Sequence, residues 1–376
     1  MTVRWRAAAA SVAIAAIVSG CSSSGEVVKI GLLTDCQGPF HAFEDAQLSG
    51  AELPFLRRGA RFAGAGPSGG VTAIEVAGRR VELVHGCQES GEHTQFIEDA
   101  RRLVETEDVD AVVGGASVVA RDLARRYPDV PFVSAFSSEQ EVTLRSPARN
   151  LFRFSPDYAQ DAAGLGAYAY RTLGWRRAAI VAADWSPAWD GAAAFTAEFC
   201  ALGGKVVEAT YRSPFTGEPD VVARALAARP DGVAAFLTGF DDQTRILAAL
   251  TGRLRDPRRL VTWNQSAEDP SLLESIGPKL DGVVVTTWVP PTPPSPILRA
   301  HRALYRKSFP GLPAWYADQS WVLGYYDAVE GILTALAQAS GGDVRRALLE
   351  ELGRVTVDLP AGRVTLDRNR QAVRDG

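Results

Sequence analysis

Four cysteines, four histidines and a single methionine are spread over 376 residues, which leaves little from which to build a metal centre. His41, His85, His93 and His301 are scattered, with no HExxH spacing. His85 and His93 flank Cys87, but a fourth ligand is missing, and loop histidines in solvent are the simpler reading. No Gly-x-Ser-x-Gly elbow occurs. The turn after the first apolar strand, Thr34-Asp35-Cys36-Gln37-Gly38-Pro39-Phe40, lacks the glycine spacing of a nucleotide-binding loop. "GARFAGAGPSGG" is rich in glycine but leads to no lysine at a helix start, so it reads as a surface loop before a hairpin at "EVAGRR". The acidic clusters Asp241-Asp242 and Glu139/Glu141 fit helix first-turn charges better than a catalytic pair. These absences point away from an enzyme and from any metal or cofactor. Positive charge is not in excess either: the net charge of −4 argues against nucleic acid as a partner.

Long hydrophobic runs are also lacking. The uncharged run from Ala7 to Val18 falls well short of the roughly 20 residues that span a bilayer. Arg4 and Arg6 precede it and small residues follow, as in a secretory signal peptide. Val18-Ser19-Gly20-Cys21 resembles the lipobox of bacterial lipoproteins, which implies a signal peptide over 1–20 and a diacylated Cys21. Lipid chains contribute about 0.8 kcal/mol per buried methylene, enough in combination to anchor a domain to a membrane. Ser22-Ser23-Ser24-Gly25 then serves as a flexible tether, making 21–25 anchor and linker. Cleavage would remove Arg4 and Arg6 and take the net charge from −4 to −6.

Three cysteines remain beyond the anchor, in a chain expected in an oxidising compartment. Cys36 follows the strand "VVKIGLLTD" and Cys87 the strand "RRVELVHG"; if these strands are neighbours in a parallel sheet, the two thiols can bond. The expectation is a Cys36–Cys87 disulfide, with Cys200 a buried, inert thiol on a helix; the alternative is three unpaired cysteines.

From Val27 onward, apolar runs of strand length alternate with amphipathic stretches. "VVKIGLL", "RRVELVHG", "VDAVVGG" and "VPFVSAF" come first, then "RRAAIVAAD", "KVVEATY", "DGVAAFLTG", "RRLVTWN" and "DGVVVTTWV". Continuous Val/Ile/Leu runs mark strands buried on both faces, as in parallel α/β sheets. Helical stripes lie between them, including "TQFIEDARRLVET", "AQDAAGLGAYAYRTLG", "GAAAFTAEFCALGG" and "DQTRILAALTGRL". The alternation happens twice, with "NLFRFSPD" opening the second set, and a hydrophobic fraction of 46% suffices for two cores. "PPTPPSP" interrupts the pattern before two long helices, around "ILRAHRALYRKSF" and "DQSWVLGYYDAVEGILTALAQA", and "LPAGRVTLDRNRQAV" reads as a closing hairpin or strand pair.

The order of these elements, with "IGLLTDCQGPF", "VPFVSAFSSEQEVT", "RRAAIVAADWSPAWDGAAAFTAEFCALGGKVV" and "LDGVVVTTWVP", resembles the type I periplasmic binding proteins. The likeness is to the leucine/isoleucine/valine-binding and amide- or urea-binding receptors of ABC transporters. It implies two doubly wound α/β lobes joined by a three-segment hinge, a Venus flytrap. Lobe one would be 26–150 and 286–353, lobe two 151–285 and 354–376, with hinges near Leu151–Arg153, Thr286–Trp288 and Val355–Asp358.

Carried over by position, the resemblance puts Pro39 and Phe40 in the loop after the first strand. Ala116 and Ser117 follow "AVVGG", and Phe136 and Ser138 follow "PFVSA", in turns that receive a ligand's acceptor group. The same seryl residues would serve as helix N-caps if they had no ligand role. From the second lobe come Asp184, Trp185 and Trp189 in "DWSPAWDG", with Phe240 as an aromatic wall in "LTGFDDQ"; core packing is the bland alternative for each ring. One position departs from the family's pattern. Where amino-acid receptors carry an acidic residue for the ligand's ammonium, this chain has Asn264 followed by Gln265. An amide carries no charge, so a neutral amide, a urea-like compound or a larger aromatic ligand stays open beside amino acids.

The reading that follows is an extracytoplasmic, lipid-anchored solute-binding protein of an ABC transporter. It is expected to be a monomer without catalysis, taking a small polar ligand to a membrane permease. Two alternatives are a ligand-sensing lipoprotein that signals to a membrane partner and, behind it, an envelope hydrolase.

Overall fold

A computed structural model describes residues 27–374 except 39, 90–92, 116–117, 137–138, 146, 213–219, 238–240, 265–267 and 290–292. The first sheet is formed by β1 (Val27–Gln37), β2 (Ile74–Val76), β3 (Arg79–Glu89), β4 (Ala111–Val113), β5 (Phe132–Ser134) and β6 (Leu151–Arg153). Their order is β2-β3-β1-β4-β5-β6, with only the β2 edge antiparallel. The second sheet holds β7 (Arg177–Ala183), β8 (Lys205–Arg212), β9 (Gly232–Phe236), β10 (Leu260–Thr262) and β11 (Val284–Val285). It runs β11-β10-β9-β7-β8, all parallel. The apolar runs explain both: β5 and β9, for example, are buried at every position, as strands with helices on both faces must be.

In each sheet the winding reverses beside its first strand, between β1 and β4 and between β7 and β9. Connections leave such a point toward opposite faces, which opens a crevice at the carboxyl ends of the strands. The loops following β1, β4, β5, β7, β9 and β10 therefore surround the place where a ligand would sit.

The helices Pro296–Ser308 and Ser320–Gln338 pack on the helix Glu44–Arg57 of the first lobe, through Tyr305 to Ser49 (3.1 Å) and a carboxylate, Glu330, that holds Arg57 and Arg58. Tyr325 donates to the Leu33 carbonyl of β1. Gly324 has no side chain because a Cβ there would run into the Ala135 carbonyl just past β5, so the long helix lies directly over the end of that strand.

Three features differ from expectation. "NLFRFSPD" does not begin the second sheet: Leu151 pairs with Phe132, which makes β6 the sixth strand of the first. The stretch expected as one helix around "GLGAYAY" is two, Tyr158–Asp161 and Leu165–Arg171, because Gly164 adopts a left-handed φ of 88°. The closing segment is a three-stranded antiparallel sheet of β12 (Val357–Leu359), β13 (Gly362–Leu366) and β14 (Ala372–Arg374), and Gln371 bridges to Arg153 of β6.

The register of β1 on β3 sets Thr34 opposite Cys87, and Cys36 and Cys87 are disulfide-bonded with Cα atoms 5.4 Å apart. Cys200 is a free thiol, but it is exposed. Its helix, Ser186–Ala201, turns Ala188, Gly191, Ala192, Phe195 and Phe199 to the core, and Cys200 falls outside that stripe.

Candidate functional site

Aromatic rings run from one sheet's carboxyl end to the other. Trp321, at the start of the helix Ser320–Gln338, stacks on Phe136 (centroids 3.6 Å apart, 8° between planes) and on Phe43 (4.8 Å, 19°), with Phe40 5.9 Å away. Phe136 meets the edge of Tyr158 at 6.4 Å, Tyr158 lies 5.7 Å from Trp263, and Trp263 meets Phe236 of β9 at 5.6 Å. The hydroxyls of Ser134 and Ser155 both donate to the Phe136 carbonyl, at 3.0 and 2.9 Å, which fixes the loop that carries this ring. The Trp263 indole donates to the Leu237 carbonyl at 2.8 Å.

Polar contacts join the two lobes beside these rings. Glu139, past β5, accepts from the Ser186 hydroxyl at 2.8 Å, and the Gln140 amide donates to Asp190 at 2.9 Å. Glu268, past β10, accepts from both the amide (2.7 Å) and the hydroxyl (2.6 Å) of Ser320, while Gln319 donates to the Glu268 carbonyl. Burial is the first cause that shifts each acid upward. It pushes Glu268 up to about 8 and raises Glu139 and Asp190, each against opposing hydrogen bonds.

Arg153 of β6 is fully buried at the crossing between lobes. It donates to the Thr143 hydroxyl (2.6 Å), to the Glu139 carbonyl (3.2 Å) and to Gln371, with Asp157 at 4.0 Å. Desolvation lowers its pKa to about 10, and the surrounding acids oppose that shift. Its hydrogen bonds bind β6, the loop after β5 and the closing sheet into one unit.

Of the residues singled out from sequence, Phe40 and Phe136 belong to the ring cluster. Asn264 is buried past β10, its backbone N–H donating to Thr286 at 3.0 Å, and apart from a weak interaction with Glu268 its side-chain amide has no hydrogen-bond partner among the described residues. Trp185 is half-buried against the main core. Asp184 accepts from the Trp189 indole at 3.1 Å, and Trp189 is 49% exposed, which excludes the core role for that ring. Pro39, Ala116, Ser117, Ser138, Phe240 and the lipidation candidate Cys21 lie outside the described residues. Cys87, between His85 and His93 in sequence, is held in its disulfide and has no thiolate to offer a metal.

Trp321, Tyr158, Asp190 and Glu268 were not singled out from sequence, and Arg153 was named only as the end of an expected hinge. The one local signal was Trp321 in the first turn of a long apolar helix, where core packing was the natural reading.

Two doubly wound sheets whose carboxyl ends meet across a ring of loops define a bilobal binding protein. The chain belongs to the periplasmic binding protein family, whose profile matches residues 27–376. An ABC transporter substrate-binding protein from Sphaerobacter thermophilus is 24% identical, with a TM-score of 0.76 over 93% of this chain and 91% of its own. A solute-binding protein from Rhodopseudomonas palustris HaA2, solved with p-hydroxybenzoic acid, is 22% identical, with a TM-score of 0.78 and the same coverage. A leucine-binding protein from Thermotoga maritima is 22% identical, with a TM-score of 0.74 over 92% of this chain and 93% of its own. No curated protein matches the sequence.

Proposed function

We propose that this protein is the extracytoplasmic, lipid-anchored solute-binding component of an ABC transporter. The two lobes close on a small polar ligand and present it to a membrane permease, with no chemical step. The observation that carries the reading is the meeting of the two sheets' carboxyl ends in a boundary of aromatic rings and polar contacts. Water leaves such a boundary on closure, which strengthens each hydrogen bond within it. The lipobox-like Val18-Ser19-Gly20-Cys21 supports a lipid on Cys21 as the membrane link.

The Phe40, Phe136 and Trp321 wall supports a ligand with a planar body, and Asn264 supports a polar group that needs no full counter-charge. Aromatic acids and amides therefore stand at the head of the ligand series, in keeping with the p-hydroxybenzoic acid in the HaA2 protein. A thermal-shift screen of the purified protein against aromatic acids, amides, ureas, amino acids and sugars tests this. Ligand at 100 times its Kd adds about 2.7 kcal/mol to stability. A shift with one class supports the transport reading; silence across all of them overturns it in favour of a signalling lipoprotein with a protein partner.

A further inference from the structure

The helix Ser320–Gln338 spans 19 residues, yet its N-cap, Gln319, makes no capping hydrogen bond with its side chain. The helix Ser186–Ala201 likewise has Trp185 at its N-cap and no side-chain cap. The first turn of any helix leaves backbone N–H groups without intrahelical partners and carries partial positive charge, so a carboxylate is favoured there. At the Ser320 start a carboxyl group from the opposite lobe accepts from a first-turn N–H, and at the Ser186 start one accepts from the first residue's hydroxyl. Glu268, on the loop after β10 of the second sheet, accepts from the amide and hydroxyl of Ser320 on the first lobe. Glu139, on the loop after β5 of the first sheet, accepts from the Ser186 hydroxyl on the second. Beside it the contact is reciprocated, with Asp190 accepting from the Gln140 amide.

We propose that Glu268 and Glu139 are latches between the lobes and that they hold the closed form in the absence of ligand. The inference rests on the hinge motion of the reading above and concerns the regulation of the same site. A ligand shifts an open–closed equilibrium only by its differential affinity for the two forms. Contacts that already favour closure reduce the shift the ligand must supply.

The charges that face each acid set the direction of the pH dependence. Burial raises Glu268 most; Ser320 and Asn264 favour its ionised form, and Asp161 opposes it. Burial also raises Glu139; its own backbone N–H, Ser186 and Arg153 lower it, and Asp190 raises it. Asp190 is raised by burial and by Asp157, and lowered by the Gln140 N–H, Arg153 and Arg145. A carboxyl whose pKa is higher in the closed form stabilises closure fully below its open-form value, and that stabilisation is lost as the pH rises through the closed-form value. For Glu268 the window runs from the ordinary 4.5 to about 8.

The test is a pulsed-EPR distance measurement on the ligand-free full chain, with Cys21 replaced by serine. One spin label sits on the exposed Cys200 of the second lobe, the other on an Arg346→Cys variant in the exposed turn of the helix Val344–Leu352 on the first. The wild type should show a short-distance population whose ratio to the long one falls by up to about tenfold per pH unit inside that window. Glu268→Gln, which keeps an acceptor and cannot ionise, should hold the short distance at pH 9, and Glu268→Ala should lose it at every pH. Ser320→Ala, which removes the hydroxyl donor alone, serves as the second variant should Glu268→Ala fail to fold, and it should weaken the short population. Two populations that are indifferent to these substitutions and to pH overturn the latch and leave the hinge standing. A single distance in all variants at all pH values removes the hinge reading itself.

Discussion

Phe136 and Trp321 stack face to face, although one lies just past a strand of the first sheet and the other begins a helix late in the chain. The contact fixes the wall proposed for the cleft, and Trp321 also stacks on Phe43. Trp321→Ala removes both stacks and is expected to cost about 3–5 kcal/mol of stability by urea denaturation. Trp321→Phe should keep most of that stability and still weaken binding of whichever ligand the screen identifies. Equal losses in both properties for the phenylalanine variant would mean the ring is only core.

Trp189 separates stability from binding more cleanly. At 49% exposure its removal should leave stability within about 0.5 kcal/mol of the wild type. As a rim residue that buries its face on a ligand, it should cost about 2–4 kcal/mol of affinity on truncation to alanine, read by calorimetry. An unchanged Kd would return Trp189 to an ordinary surface position.

The strands were legible because parallel sheets demand continuous apolar runs, and "AAIVAA" or "VAAF" can hardly be read otherwise. Which sheet a strand joins is a different matter. Leu151–Arg153 looks like any other apolar run, and only its pairing with Phe132–Ser134 assigns it to the first sheet. Cys200 was misplaced for a related reason: in a helix as apolar as Ser186–Ala201 the hydrophobic stripe is broad, and one position decides between core and solvent. Phe40 and Phe136 were reached through the family resemblance, which puts them after strand ends, where doubly wound folds place ligands. Glu268, Arg153 and Trp321 could not be placed in the site that way, since each takes its place from partners far away in the chain, Ser320, Gln371 and Phe136 respectively.

The cysteines offer a chemical check on the first lobe. Native, unreduced protein should be alkylated at Cys200, and tryptic peptides containing Cys36 and Cys87 should appear linked by mass spectrometry. Replacing both with serine should lower stability by about 2–5 kcal/mol, since the bond ties the ends of neighbouring strands. Free alkylation of Cys36 and Cys87 in the native protein would refute the pairing.

Glu52 gives the fold a pH dependence of its own. It lies in the helix Glu44–Arg57 with no exposed surface, and among the described residues neither carboxyl oxygen has a hydrogen-bond partner. Burial alone raises its pKa from 4.5 to about 8, so it folds as the neutral acid. The native state then binds a proton that the unfolded chain releases above 4.5. Its contribution is fully present below that value and falls by about 1.4 kcal/mol per pH unit until the pH passes about 8, beyond which it is flat. Glu52→Leu has no proton to lose and fills a similar volume in an apolar site. Urea denaturation of both proteins at pH 5, 7 and 9 isolates the effect, because the other buried acids are common to the pair. The variant should gain on the wild type between pH 5 and 9, and parallel profiles would show that Glu52 folds ionised with a partner or is solvated.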